Sequence, residues 1–174
     1  MTNRDQEAAW EYHNATKHSY TSVRSNAHFL DWANQPLPFK IYPQLEAVPL
    51  PREVPQTGGA ALAAIAETGT GRQNAETIDL RALSLLLYFS AGITRQRKYP
   101  GGELCFRAAA CTGALYEMEL YPVVRDLPDL EAGVYHFSPA DFALRRLRAG
   151  DWRGELVAAT GGEPAVARAP LILV

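Results

Sequence analysis

Cysteine is scarce in this chain, and that scarcity excludes a good deal. Only Cys105 and Cys111 occur among 174 residues. They are not set as a CxxC pair, so neither a disulfide-stapled scaffold nor a cysteine-rich zinc module is on offer, and a reducing, cytoplasmic setting is expected. Long apolar runs are missing too. Leu83 to Leu87 belongs to an amphipathic pattern and falls far short of the roughly 20 residues that a membrane helix needs. The N-terminal stretch is too polar for a secretory leader. Charge of one sign is also absent: 17 basic against 19 acidic residues leave −2, with a pI near 6.1. That balance gives no electrostatic footprint for nucleic acid.

Several catalytic signatures are lacking as well. There is no HExxH and no GxSxG, and Gly69-Thr70-Gly71 neither completes a GxGxxG nor follows a strand. His13 and His18 are five apart, the wrong spacing for a helical zinc pair, and His28 and His136 stand alone. No metal site is expected.

What is present suits a folded domain. Hydrophobic residues make up 47% and charged residues 21% of the sequence, and a chain of this length can bury a sizeable core. Two parts are expected: an N-terminal helix and arm over 1–57, and a domain over 58–174. Asp5 to Ser19 reads as a helix capped by Asp5, with Ala8, Ala9, Tyr12 and Ala15 on a loose apolar face. Ser22 to Gln56 reads as irregular, because Pro36, Pro38, Pro43, Pro49, Pro51 and Pro55 block helix and central strand alike. Phe29, Leu30, Trp32, Phe39, Ile41, Tyr42 and Leu45 make it too apolar for a tether, so an arm laid over a neighbouring chain or domain is expected.

Farther along, Gly58 to Glu67 is Ala-rich and reads as helix, and Thr68 to Glu76 as loop. Asp79 is a good cap for a helix whose apolar stripe is Leu80, Leu83, Leu86 and Leu87. Gly92 should end it in a left-handed conformation. Arg95 to Gly102 reads as a basic, Gly-containing loop, with Arg95, Arg97 and Lys98 solvated. Ala108 to Tyr116 reads as a turn opening a short helix. Met118 to Arg125 alternates like a strand, and Pro122 assigns it to an edge or a bulge. Gly133 to Phe137 is a strand, Phe142 to Arg148 a strand or a helix, and Asp151 to Ala159 a helix capped by Asp151. The unbroken apolar run Ala169 to Val174 reads as a strand buried on both faces, which implies a cover from a further segment or a partner. This order is α+β and not a strict alternation.

The most informative local stretch is Phe106 to Tyr121. Small residues at Ala108, Ala109, Ala110, Cys111, Thr112, Gly113 and Ala114 let a backbone approach a flat ligand, and N–H groups at a helix start can donate to its polar edge. A tight packing corner with no ligand would use the same residues. Cys111 has Arg107 near it in sequence, but a buried, inert thiol is the ordinary state of such a cysteine.

The order of several motifs resembles the nitroreductase family, in particular the SagB-type dehydrogenases that oxidise azoline rings in ribosomal peptides. Their Pro-Ser-Ala-Gly-Ala-Leu-Tyr-Pro stretch and Glu-Leu-Tyr strand are similar to Ala110-Cys111-Thr112-Gly113-Ala114-Leu115-Tyr116-Glu117 and Glu119-Leu120-Tyr121. Leu83 to Arg95 resembles the helix before that loop, and Val123 to Asp126 with Gly133 to His136 its strand and hairpin. Tyr12-His13, Ala15 to Ser19, Lys40-Ile41-Tyr42-Pro43 and Pro49-Leu50-Pro51-Arg52 resemble its opening and arm. The resemblance implies an antiparallel or mixed sheet flanked by helices, incomplete in this chain. It also implies FMN as cofactor, a homodimer or tandem pseudo-dimer with flavin at the interface, and a small ring or peptide azoline as substrate. Cys111, Thr112, Gly113, Ala114 and Tyr116 would then face the flavin, and Arg72 or Arg107 its phosphate or ribityl end. No catalytic residue is assigned.

Departures from the family pattern are specific. Ala110 and Cys111 stand for Pro and Ser, and Glu117 for Pro. The Arg-Arg-Ser phosphate group is reduced to Arg72 near 67–72, and the family's later flavin-binding elements would lie beyond Val174. A degenerate half, shaping an interface with a flavin-binding partner domain, is the alternative reading.

Overall fold

A computed structural model of the chain describes residues 6–25, 29, 31–34, 37–54, 58–66 and 78–174. The chain divides into two compact units, Met1–Pro36 and Leu37–Val174. Residues 37–54 of the proline-rich arm thus fall within the second.

In the first unit, α1 (Gln6–Thr16) and α2 (Tyr20–Ser25) take the place of one helix to Ser19. The break has a local cause: the Ser19 hydroxyl oxygen accepts the Ser22 N–H at 3.0 Å and so caps the second helix. Asp5, read as the cap of the first, lies outside the described residues. Neither helix buries a residue.

The second unit is built on a five-stranded antiparallel sheet. Its strands are β1 (Ala47–Pro49), β4 (Pro122–Val124), β5 (Gly133–Ser138), β6 (Ala143–Ala149) and β7 (Leu171–Leu173), in the order β1-β6-β5-β4-β7. Between β1 and β4 in sequence lie α3 (Ala61–Ala66), α4 (Leu80–Ala91) and a hairpin of β2 (Ile93–Tyr99) with β3 (Gly102–Arg107). Helices α5 (Arg153–Ala159) and α6 (Pro164–Arg168) precede β7. Among the described residues, no helix is long and apolar enough to cross a membrane.

Helix α4 shares the core with the sheet. Asp79 caps it as expected, its carboxylate accepting the Ala82 N–H at 2.7 Å. Leu83, Ser84, Leu87 and Ala91 form the buried stripe, with Leu80 partly buried beside it. This i, i+4, i+8 row leaves Leu86 to the outside at 44% exposure, contrary to the sequence expectation. Ser84 satisfies its buried hydroxyl by donating to the Pro51 carbonyl. Leu83 and Leu87 pack in one cluster with Leu50, Val124, Tyr135, Phe137, Phe142 and Leu144.

Other expectations are corrected. Gly92 is extended (φ −66°, ψ 156°), not left-handed. Glycine is needed there because a Cβ would lie 2.7 Å from the Tyr88 carbonyl oxygen. The basic stretch Arg95 to Gly102 is no loop: it forms most of β2 and the turn into β3, with Gly101 at φ 106° after Pro100. Phe142 to Arg148, open between helix and strand, lies mostly in β6. Met118 to Arg125 contributes only the three residues of β4, which sits between β5 and β7. Pro122 is tolerated there as the first residue of the strand. The final run, read as buried on both faces, forms the outer strand β7, with Leu173 and Val174 exposed. Along the arm, Val48 and Leu50 join the core, and Phe39, Tyr42 and Leu45 are half-buried; Phe29, Leu37 and Ile41 are exposed.

Candidate functional site

Residues 107–121 link the hairpin to the sheet, and the side chains at their two ends bury one polar cluster. Arg107 ends β3 with its side chain only 3% exposed. Its guanidinium donates to the Met118 carbonyl at 3.4 Å and the Pro38 carbonyl at 3.3 Å, and lies 3.9 Å from the Glu119 carboxylate. The rings of Phe39 and Tyr116 flank it, each 5.3 Å away. The other Glu119 oxygen pairs with His136 Nε2 at 2.8 Å, and His136 is fully buried between the rings of Tyr42 and Tyr121. Lys40 closes the outer side by donating to the Tyr121 hydroxyl at 2.9 Å. Tyr121, then Tyr42, hold the Lys40 ammonium above its ordinary pKa, while burial pushes the Tyr121 phenol up.

This cluster pins both ends of a turn that is itself exposed. The turn is a short 3-10 segment, Thr112–Ala114, and not the opening of a helix. Gly113 (φ 67°), Ala114 (φ 55°) and Tyr116 (φ 52°) are all left-handed. Two of these three carry side chains, an arrangement that persists only where the surroundings hold it. Part of the hold is Cys111: its sulfur accepts the Tyr116 N–H at 3.0 Å, and its thiol donates to the Glu117 carboxylate at 2.9 Å. That thiol, and a backbone N–H, keep Glu117 below the usual carboxylate range. Cys111 is thus half-buried and engaged, and it faces Glu117 rather than a base contributed by Arg107.

Outward, the turn offers backbone. Thr112 and Gly113 are exposed, and neither N–H donates to an acceptor among the described residues. A Cβ at Gly113 would meet only the Leu115 side chain, at 3.6 Å. The outward face therefore carries free donors and little bulk.

Of the residues singled out in the sequence, the structure brings Cys111, Thr112, Gly113, Ala114 and Tyr116 together at this turn. Arg107 is adjacent but turned inward, its guanidinium committed to carbonyls and Glu119. Arg72 lies outside the described residues. Lys40, Phe39, Tyr42, Glu119, Tyr121 and His136 were missed as a cluster, and His136 is not isolated. A signal for it exists: strand alternation sets His136 opposite Tyr135 and Phe137, so it needs a polar partner on the second face.

No family model matches the chain. It is 31% identical over 97 residues to a candidate nitroreductase of Methanocaldococcus jannaschii, covering 56% of this chain and 46% of that protein. A solved structure of a candidate nitroreductase from Anabaena variabilis superposes with a TM-score of 0.68 at 29% identity, covering 95% of this chain and 30% of the other. The fold is thus a nitroreductase-like mixed α+β fold with an antiparallel sheet and flanking helices. The chain spans about half the length of the curated relative and less than a third of the solved one.

Proposed function

We propose that this chain is part of an FMN-dependent oxidoreductase of the nitroreductase family, on the SagB-type dehydrogenase side of it, acting on a small ring such as a peptide azoline. One observation carries the reading. The turn whose sequence resembles the family's flavin-facing loop is an exposed, left-handed backbone ledge with two free N–H groups.

The residues present suit the ring end of the cofactor. Thr112 and Gly113 N–H groups can donate to the polar edge of an isoalloxazine, and Gly113 and Ala114 leave room for its plane. FMN, when bound, supplies the two-electron chemistry. The chain's own work is to hold the ledge still: Tyr116 stacks on Arg107, and Arg107 ties the start of the segment to Met118. The phosphate end is not matched in the same way, since Arg107 has no open face and would not serve it. Those contacts would come from Arg72, from another part of the protein, or from a second copy in a homodimer or tandem pseudo-dimer. The inward-turned Arg107 also favours the second reading, in which this segment shapes an interface for a flavin bound chiefly by its partner domain.

The purified full-length protein, reconstituted with FMN, tests the proposal. Retained flavin absorbance after gel filtration, and turnover of an azoline peptide, are the expected results. A colourless protein that leaves FMN unbound would contradict the first reading. Flavin retained only when a partner domain is present would select the second.

A further inference from the structure

A separate cavity of about 370 Å³ opens at the base of the hairpin, where α4 turns into β2. Its shape follows from two local irregularities. Gly92 lets the chain leave α4 sharply, because any Cβ there would strike Tyr88. A bulge then sets Thr94 as an extra residue in β2: Ile93 faces Arg107 and Arg95 faces Phe106, with no partner between them. Bulges re-aim side chains. Here four successive residues, from Ile93 to Gln96, line one cavity, which regular alternation would forbid.

The lining is divided by chemistry. Tyr88 and Phe142, in edge contact at 6.1 Å, and Ile93 give an apolar floor. Arg52 and Arg95 give two guanidinium groups, and among the described residues no Asp or Glu lines the cavity, although the chain as a whole carries −2. Arg52 is already oriented, donating to the Asp141 carbonyl at 2.7 Å and lying over the Phe142 ring at 5.5 Å. Arg95 is exposed, and its side chain makes no hydrogen bond or ion pair with the described residues. The volume lies within the range of small-molecule sites, which pair apolar walls with a few placed polar groups.

We propose that this cavity binds a small aromatic carboxylate, its ring on Tyr88 and Phe142 and its carboxylate paired with Arg95 and Arg52. Guanidinium groups suit carboxylates because two parallel N–H donors match two oxygens. The lining shares no residue with the Cys111–Ala114 turn.

Isothermal titration of the full-length protein with benzoate, benzamide and inorganic phosphate tests this, with Tyr and Phe ring signals followed by NMR. Benzoate should bind and shift the Tyr88 and Phe142 ring signals, and benzamide should bind at least ten-fold more weakly. Arg95→Gln should weaken benzoate by ten-fold or more. Arg97→Gln, on the same strand but outside the cavity, should leave it within two-fold. Equal loss in both variants would reduce the effect to general surface charge and overturn the proposal. So would equal binding of benzamide, tighter binding of phosphate than of benzoate, or no benzoate binding. Arg95 is exposed, so its variant should fold; an unchanged amide spectrum away from the hairpin checks this.

Discussion

The sheet under α4 and the stretch from Ile93 to Met118 belong to one unit yet follow opposite rules. Beneath α4, side chains are buried: Leu83, Leu87, Val124, Phe137 and Leu144 have 1% exposure or less. From Ile93 to Met118 most side chains are exposed, three of the positions from Gly113 to Tyr116 are left-handed, and the Thr112 and Gly113 N–H groups have no acceptor among the described residues. Packing accounts for the first region, where even left-handed Phe142 (φ 56°) joins the apolar cluster. It explains less of the second, where left-handed Ala114 and Tyr116 are held by Cys111 and by the buried Arg107 and not by an apolar core. The turn proposed to face the flavin lies in the second region. Arg107 is the joint between them, buried like the core but holding the exposed turn in place.

The comparison can be broken first where the expected effect is largest. Leu83→Ala should destabilise by about 3–4 kcal/mol, because it opens a cavity under α4. Leu86→Ala, on the same helix at 44% exposure, should change stability by less than about 0.5 kcal/mol. Urea denaturation of both variants separates them, and similar losses would show that the helix is rotated relative to the described stripe.

Arg107→Ala should come next, at about 3 kcal/mol. It removes the cation from a largely buried pair and leaves Glu119 facing His136 alone. The same variant should loosen the turn, seen as faster amide exchange at Tyr116, whereas Leu83→Ala should leave that turn's exchange unchanged relative to global unfolding. An Arg107 variant with native stability would make the cluster incidental.

The smallest effect is on acid stability and belongs to the sheet side. Arg145 holds the Asp141 carboxyl, and Arg153 that of Asp151, below the usual carboxylate range. A folded pKa below the unfolded one contributes stability that is present above about pH 4 and lost as pH falls through the folded values. Thermal melts from pH 6 to 2 should therefore show a decline below about pH 4. Arg145→Gln should make that decline shallower, and an identical pH profile would show that the pair contributes nothing.

How much was legible follows the same division. Asp79 as a cap, the strand at Gly133 and the α+β order could be read from the sequence because each rests on local periodicity or a local hydrogen bond. Arg95 to Gly102 reads as a loop in the sequence because Arg95, Gln96, Arg97 and Lys98 lack the apolar alternation of a half-buried strand; both faces of β2 are largely exposed, so no periodicity arises. Gly92 and Leu86 were misassigned because their roles depend on what lies across from them, Tyr88 in one case and solvent in the other. The turn at Cys111 was located by motif, but its left-handed backbone was not: Ala114 and Tyr116 carry no local signal for positive φ. The Arg107–Glu119–His136 cluster joins positions separated by up to 29 residues, with Lys40 and Tyr42 reaching it from the arm. Only the fold brings them together.

The central claim is that the ledge at Thr112–Ala114 receives the flavin ring. It is tested most directly by two matched glycine variants of the full-length protein. Gly113 and Gly150 are both left-handed, at φ 67° and φ 89°, and a Cβ at Gly113 would touch only the Leu115 side chain, at 3.6 Å, and at Gly150 nothing within 4 Å. Each change should cost about 1–2 kcal/mol through the backbone alone. Flavin per protein is then measured from absorbance after FMN reconstitution and gel filtration. The account expects Gly113→Leu to lose bound flavin while Gly150→Leu keeps it. Equal flavin content in Gly113→Leu, Gly150→Leu and the unaltered protein would show that the turn is only a packing corner.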